Sequence, residues 1–262
     1  MTAVKPTRLN EQIDEVLNLI SDPIALRRKC VDILDLYADR TRRPNLMETM
    51  DEAAHSLRVP RPVIRAFGVA LRRRAQEQPE HARAASAALW EAGYRETQLL
   101  ACSILSGQVH DDVSKWAIDH VAKCDDQEVV AEMAKVGLHS WRVSDVPRFL
   151  SAEEVWLNDS NRRIRSFALL ALSAAAGDDQ FKDIPSIFRL IVGFTAKAKG
   201  GERRALRRLI QALVGRSPPE AARFLIDEIA DGGNPAENFS RSVLDFFPSR
   251  QRRLLDRTLS SQ

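Results

Sequence analysis

Apolar residues recur along most of this chain at intervals of three and four, the spacing that places them on one face of an α-helix. Near the start, Ile13, Val16, Leu17 and Ile20 follow this rule. No segment alternates with a period of two, and no Asn-Gly hairpin signal joins two β-branched runs. The pattern therefore predicts an all-α protein.

The densest apolar pattern lies between residues 82 and 125. It predicts a helix over Ala82–Ala92, a turn at Gly93 and a second, nearly all-apolar helix from Glu96. A helix this apolar is buried on most sides, so it needs helical neighbours before and after it. A third helix follows and ends near Asp125. Its predicted inner face is formed by Val113, Trp116, Ala117 and Val121.

Other helices are predicted with short breaks between them. They cover residues 10–21, a segment opened by Pro23, and residues 46–57, 127–137, 143–150, 152–157, 162–175, 184–197, 202–214, 219–229 and a C-terminal part from 238. Glycine-bearing turns at Gly177, Lys199–Gly201 and Asp231–Gly233 separate the later ones. Helix pairs recur at roughly 35–45 residues without strict self-similarity, which is typical of degenerate HEAT-like repeats.

Composition narrows the class of protein only a little. The 262 residues carry 39 Lys and Arg against 36 Asp and Glu, and a net charge of +3 is too small to indicate a nucleic-acid partner by itself. Cys30, Cys102 and Cys124 lie in apolar runs without CxxC spacing, which favours a reducing compartment over a zinc site or a disulfide framework. No run reaches transmembrane length. We predict a cytoplasmic protein that does not enter a membrane.

The distribution of arginine is more informative than its number. In the helix predicted over residues 202–214, the stripe formed by Arg204, Arg207, Arg208 and Gln211 lies opposite an apolar stripe, and Lys197 and Lys199 precede the helix. Guanidinium groups match phosphate oxygens in geometry, and each contact releases counterions. An arginine-rich helix is also consistent with a solvated outer face.

A second arginine cluster opens the helix predicted from Arg162. Arg162, Arg163 and Arg165 crowd its first turn, which Ser160 or Asn161 can cap. Positive charge at the positive end of a helix dipole is unfavourable unless an anion binds there. The two clusters together favour a phosphate-binding surface.

Several of these motifs resemble the AlkD-type DNA alkylation repair proteins, which are alkylpurine DNA glycosylases built from HEAT-like helical repeats. The resemblance extends from about residue 59 to about residue 228. It rests on Leu89-Trp90, Glu96, Leu99-Leu100-Ala101, Cys124-Asp125 and the Pro-bearing turn before Arg65. It implies a right-handed α-solenoid with a concave basic groove. We expect one continuous domain over 1–262, in which residues 1–58 are N-terminal helices and residues 59–262 form the repeat body.

The resemblance also implies site residues. A Trp-Asp-x-x-Asp pattern in the family ends in a catalytic aspartate, and Asp125 stands at that position, while Val121 and Ala122 stand at the preceding Trp and Asp. In a Lys-Ala-x-x-Trp segment, Arg208 stands where the family has a tryptophan that lines the lesion cleft. In an Asn-x-Trp-x-x-Arg segment, Ser166 stands at the phosphate-binding arginine, one step from Arg165.

The implied reaction is hydrolytic excision of N3- or N7-alkylated purines without extrusion of the base. These bases carry positive charge and leave readily, so a carboxylate that stabilises the oxocarbenium-like sugar and positions water is sufficient. Because Val121 and Arg208 replace two tryptophans, we hypothesise that DNA binding persists while excision is weak or lost. Asp125 has an alternative interpretation, as the N-cap of the helix that follows it.

The sequence therefore predicts a protein that binds double-stranded DNA, intact, damaged or branched, with no metal and no cofactor. Asp125 is the catalytic candidate. The DNA-binding candidates are Arg162, Arg163, Arg165, Lys197, Lys199, Arg204, Arg207 and Arg208. The alternative is a HEAT-like scaffold that binds acidic protein partners, which a salt titration distinguishes from phosphate binding.

Overall fold

The computed structural model describes residues 6–39, 55–108 and 112–260, and their regular structure is entirely helical. In chain order the elements are α1 (Pro6–Leu17), α2 (Pro23–Leu36), α3 (Arg61–Glu77), α4 (Pro79–Glu91), α5 (Arg95–Leu105), α6 (Asp112–Val121), α7 (Gln127–Glu132), a π-helical turn (Met133–Gly137), α8 (His139–Ser144), α9 (Val146–Leu157), α10 (Arg162–Ala176), α11 (Ile184–Leu190), α12 (Phe194–Lys197), α13 (Gly201–Arg216), α14 (Pro218–Arg241), a 3₁₀ turn (Leu244–Phe246) and α15 (Ser249–Ser260).

Helix α2 illustrates how local chemistry sets these elements. Pro23 occupies its first turn, where a missing N–H costs nothing, and the Asp22 carboxylate accepts from the Ala25 amide at 3.1 Å. The predicted inner face is confirmed, because Leu26, Cys30, Ile33 and Leu34 are all buried.

Some predicted boundaries are wrong, and each has a local cause. The predicted helices at 143–150 and 152–157 are replaced by α9, whose start is fixed by the Asp145 carboxylate accepting from the Arg148 amide at 3.3 Å. The predicted helix at 184–197 is divided at Gly193, which has a φ of 77°. The predicted helix at 219–229 continues through α14 and is bent at Gly233, whose φ is 57°.

The predicted helix at 46–57 falls largely on residues outside the described ranges, and its last residues, 55–57, are not helical. Cys124 lies in the turn between α6 and α7 rather than in a helical run, whereas Cys30 and Cys102 are buried within helices.

The chain divides into two compact units. The first comprises Met1–Ala117 and Cys124–Trp141, and the second comprises Ile118–Lys123 and Arg142–Gln262. The right-handed α-solenoid and the division at residue 58 stay predictions.

In the first unit, α3, α5 and α7 run parallel to one another. At their first turns, the Arg95 guanidinium on α5 pairs with Asp126 before α7. At the other end, the Gln108 side chain after α5 donates to the Ala75 carbonyl of α3 at 3.0 Å, and the Ser140 hydroxyl donates to the Ser106 carbonyl. Parallel packing of alternate helices places three helix N-termini at one edge of this unit.

In the second unit, α10 and α13 form the most extensive helix pair, and they are also parallel. Their first turns meet through Arg165 and Glu202, and their last turns meet where the Arg216 guanidinium donates to the Asp178 carbonyl at 2.9 Å. The face of α10 toward the core is apolar throughout, with Phe167, Ala171 and Leu172 fully buried.

A buried ionisable group lies in the core of the second unit. Glu153 is 0% exposed, and neither of its carboxylate oxygens has a hydrogen-bond partner among the described residues. Burial raises the pKa of Glu153 well above its usual range, and the charge of Arg142 opposes this shift. Arg142 is itself 2% exposed and pairs with Asp178 at 3.3 Å.

Replacing Glu153 by glutamine is expected to stabilise the protein increasingly as pH rises. In the wild type, the folded state keeps the Glu153 proton at pH values where the unfolded chain has released it, so wild-type stability falls above the ordinary pKa. The glutamine variant escapes this loss, which amounts to about 1.4 kcal/mol per pH unit while the folded carboxyl stays protonated. Urea unfolding at several pH values from about 4.5 upward measures the difference.

The matched control is Glu154→Gln, because Glu154 is the adjacent but exposed residue. Its unfolding curves should follow the wild type at every pH. Parallel pH profiles for Glu153→Gln and the wild type would show that the Glu153 carboxyl has an ordinary pKa in the folded protein.

Candidate nucleic-acid interface

The first turns of α10 and α13 lie side by side in the second unit. Asn161 caps α10 by accepting from the Arg163 amide at 2.9 Å, and Gly200, with a φ of 55°, leads into α13. The Arg162 guanidinium donates to the Lys199 carbonyl at 3.1 Å, which joins the two starts directly. Because the helices are parallel, the positive ends of their dipoles lie next to each other.

The close approach depends on a small residue at the start of α13. A Cβ atom added to Gly201 would lie 3.2 Å from the Ser166 hydroxyl on α10, so a larger side chain would push the two helix starts apart. Glycine thus brings the backbone amides of one helix beside the arginines of the other.

Glu202 organises the charge at this junction. It is 5% exposed; its carboxylate accepts from the Arg165 guanidinium at 2.7 Å and from the Lys199 amide at 3.2 Å. Arg165 also donates to the Ser160 carbonyl at 3.0 Å. These contacts give Arg165 a structural place within the unit, and its predicted role in DNA binding stays a prediction.

The remaining cations of the junction face outward. The Arg162 side chain is 58% exposed, and its guanidinium lies 3.8 Å from Glu202. Arg163 is also exposed, and its guanidinium donates to the Ala122 carbonyl at 3.3 Å. Lys197 and Lys199 are exposed beside them. We refer to Arg162, Arg163 and Lys199 together as the junction cluster.

The four arginines in the first eight residues of α13 divide into two groups, which the predicted single stripe did not distinguish. Arg204 and Arg208 are exposed. Arg207 instead lies over the Phe246 ring at 5.5 Å, and Arg203 lies over the Phe239 ring at 5.2 Å. In each of these cation–π contacts the guanidinium packs against the face of an aromatic ring. Two of the four arginines therefore contribute to packing.

Asp125 lies in the turn between α6 and α7 and is exposed. Its alternative interpretation as the N-cap of α7 is wrong, because Asp126 has that role. The Asp126 carboxylate accepts from the Glu128 and Val129 amides at 2.9 and 3.2 Å and is also paired with Arg95. Asp125 as the catalytic residue stays a prediction.

The residue that replaces the first family tryptophan lies in the core. Val121 is 1% exposed at the end of α6. Its side chain is therefore packed against the protein and is unavailable to a ligand at the surface.

The first unit contains a basic cleft that sequence analysis did not identify. It has a volume of about 520 Å³ and runs along α3, α5 and the π-helical turn. Its cationic lining consists of Arg58, Arg61, Arg65, Arg72, Arg95 and Lys135. A signal was present in the sequence, because Arg61, Arg65 and Arg72 share one face of a helix at spacings of four and seven. The contributions of α5 and Lys135 depended on helix packing.

Three glutamates in this cleft have different surroundings. Glu96 is 4% exposed and accepts from the Ser56 hydroxyl and the Leu57 amide, both at 2.9 Å. Glu128 pairs with Arg61 at 2.8 Å. Burial raises the pKa of Glu132 above its usual range, and the nearby charge of Lys135 opposes the shift. The cleft therefore becomes more positive as pH falls through the pKa of Glu132.

Neither a metal centre nor a membrane segment is found in the part of the chain that the structure describes. No three His, Cys, Asp or Glu side chains there are grouped closely enough to hold a metal ion. No helix there is both long and apolar enough to cross a bilayer.

Comparison with known protein families gives a match. A family model described as DNA alkylation repair enzyme matches residues 32–226, which is most of the chain. No curated protein and no solved structure matches the sequence.

Proposed function

This chain belongs to the DNA alkylation repair enzyme family, and from that premise we propose that it binds the phosphate backbone of double-stranded DNA. The observation that carries the proposal is the junction cluster, where two parallel helices begin side by side beside exposed Arg162, Arg163 and Lys199. Helix N-termini and guanidinium groups both favour phosphate oxygens. Glu202 pairs with Arg165 and lies 3.8 Å from Arg162, so it offsets part of the positive charge at the two dipole ends, and a bound phosphate would offset more of it.

The basic cleft of the first unit supports the same function independently. Three of its six cations, Arg61, Arg65 and Arg72, follow a row along α3 with a spacing of one or two helical turns. Such rows suit a polymer of regularly spaced phosphates better than a single small anion. The six cations of the cleft outnumber its three glutamates, of which Glu96 accepts from Ser56 and Leu57 while Glu128 offsets the charge of Arg61.

We propose further that excision of alkylated purines is weak or absent. Asp125 supplies a carboxylate of the kind that stabilises an oxocarbenium-like sugar and orients water. The cleft tryptophans of the family have no counterpart at Val121 or Arg208. A buried valine offers no surface to a cationic base, and an arginine repels it. On this proposal the protein binds DNA but does not efficiently hydrolyse the glycosidic bond of an alkylated purine.

A salt titration tests the binding proposal. Fluorescence anisotropy with a labelled duplex of about 20 base pairs should give an affinity that falls log-linearly with salt, with a slope of about 0.9 for each phosphate contacted. Replacing the three junction residues with glutamine should reduce this slope by about 2–3. An affinity that is independent of salt, or absent for DNA and present for an acidic protein, would instead support the scaffold function.

Base release tests the catalytic proposal separately. Duplex DNA that contains 7-methylguanine is incubated with an excess of wild-type protein or of Asp125→Asn, and free base is measured over time. We expect the two proteins to release base at the same slow rate as DNA alone. Rapid release by the wild type that is lost in Asp125→Asn would refute the inactive proposal and establish Asp125 as catalytic, without affecting the binding proposal.

A further inference from the structure

The C-terminal helix α15 lies beyond residues 32–226, the part of the chain that matches the family. Its sequence contains four arginines and one aspartate, a net charge of +3 that equals the net charge of the whole chain. The other residues of the protein therefore carry equal numbers of basic and acidic side chains, and α15 is one of its strongly basic helices.

The helix is anchored by a narrow apolar contact. Leu255 and Leu259 are its buried residues, and Arg241 of α14 donates to the Leu259 carbonyl at 2.9 Å. Most of its other side chains are exposed, among them Leu254 at 49%.

Helix α15 and the first turns of α14 enclose a groove of about 500 Å³ in the second unit. Three arginines line it: Arg250, Arg253 and Arg257. The rest of its lining is Pro219, Ala222, Gln251 and Leu254, so the described residues that line the groove include no carboxylate. All three arginines are exposed.

The spacing of the three arginines matches a nucleic-acid strand. Residues three and four apart lie on one face of a helix, and a rise of about 1.5 Å per residue spreads Arg250 and Arg257 over about 10 Å. That length corresponds to about three nucleotides at about 3.4 Å each along one strand of a duplex. The apolar floor of the groove suits the sugar carbons between phosphates.

The position of the charges in the helix also points to an anion. Arg250 and Arg253 lie in the first turn and a half of α15, where the helix dipole disfavours cations. Arg252, on another face of the same turn, is paired with Asp245 at 3.0 Å. The groove-facing arginines differ from Arg252 in that the lining around them offers no acidic side chain.

We infer that the groove between α14 and α15 is a second phosphate-backbone site, which holds a strand of nucleic acid and lies outside the part of the chain matching the family. The inference rests on the proposed DNA-binding function, which it deepens by adding a separate contact. The inference predicts that the protein contacts a longer stretch of DNA than it would contact through the junction cluster and the basic cleft alone.

Two variants of equal charge test the groove most directly. Arg253→Gln removes a charge from the groove, whereas Arg252→Gln removes one from the adjacent residue that faces Asp245. With a labelled duplex of about 30 base pairs, Arg253→Gln should lower the salt slope by about 1 and Arg252→Gln should leave it unchanged. The combined R250Q/R253Q/R257Q variant should lower the slope by about 2–3. Circular dichroism verifies that each variant keeps its helical content.

The outcomes separate this inference from the proposed function. If the wild type binds the duplex and the triple variant retains its slope, the groove is not a phosphate site, while the proposed function is unaffected. If the wild type does not bind duplex DNA at about 50 mM salt, both are overturned. If the triple variant keeps its DNA slope but loses affinity for polyglutamate, the groove belongs to an acidic protein partner and the inference is also overturned.

Discussion

Replacing Arg165 by alanine is expected to lower the free energy of unfolding by about 3 kcal/mol. Removal of one member of a buried ion pair leaves the other charge without compensation, which costs about 3–5 kcal/mol in an enclosed site. Glu202 is 5% exposed, and among the described residues its remaining partners after the change are the Lys199 amide at 3.2 Å and Arg162 at 3.8 Å. These remaining contacts place the expected effect at the lower end of the range.

Denaturant unfolding of Arg165→Ala measures this cost, and Arg163→Ala is the matched control. Arg163 lies in the same first turn of α10 but is exposed, so its loss should change stability by less than about 1 kcal/mol. The double variant R165M/E202L should recover much of the stability lost in Arg165→Ala, because it removes both charges. Equal and small effects of Arg163→Ala and Arg165→Ala would show that the pair contributes little.

Reversing the charge of Arg204 and Arg208 together is expected to weaken duplex binding at least about 100-fold at low salt and to lower the salt slope by about 2. Both side chains are exposed and lie one turn apart on α13, so they can follow a strand from the junction cluster. A glutamate at each position both removes a phosphate contact and adds repulsion. Anisotropy with a labelled duplex measures the change.

The control for this variant is Arg8→Glu with Arg28→Glu. Both residues are exposed on the N-terminal helices, and their reversal changes the net charge of the protein equally. A general electrostatic effect would weaken DNA binding in both variants to the same extent. If α13 is the binding site, only R204E/R208E should weaken DNA binding. Binding that survives R204E/R208E unchanged would remove α13 from the interface.

Sequence periodicity predicted the helices well where a segment carries its own apolar face and its own cap. Helix α10 is an example, because Asn161 caps it and its apolar residues repeat regularly up to Ala176. The prediction failed where a distant residue decided the outcome. The division at Gly193 is stabilised by buried Glu228, whose carboxylate accepts from the Gly193 amide at 2.8 Å and from the Thr195 hydroxyl. No local pattern encodes a partner that lies 35 residues away.

The candidate site shows the same limit. The sequence C-D-D before α7 offers two aspartates as caps, and the choice of Asp126 is coupled to its ion pair with Arg95 from α5. The assignment of Arg207 to packing depends on Phe246, which follows 39 residues later in the 3₁₀ turn. The basic cleft needed three packed helices to exist at all. Residue types could be predicted from the sequence, but their partners could not.

The hydrogen bonds of the buried Glu96 carboxylate limit where an N-terminally truncated version of this protein can begin. Two of its hydrogen-bond donors, the Ser56 hydroxyl and the Leu57 amide, belong to the non-helical segment that precedes α3. A recombinant fragment that begins at Val59 would keep the Val59 nitrogen, now a charged terminus, and would lose both of the others. Shortened versions made for crystallisation or screening should therefore start well before Ser56, since a start at Val59 opens the wall of the basic cleft.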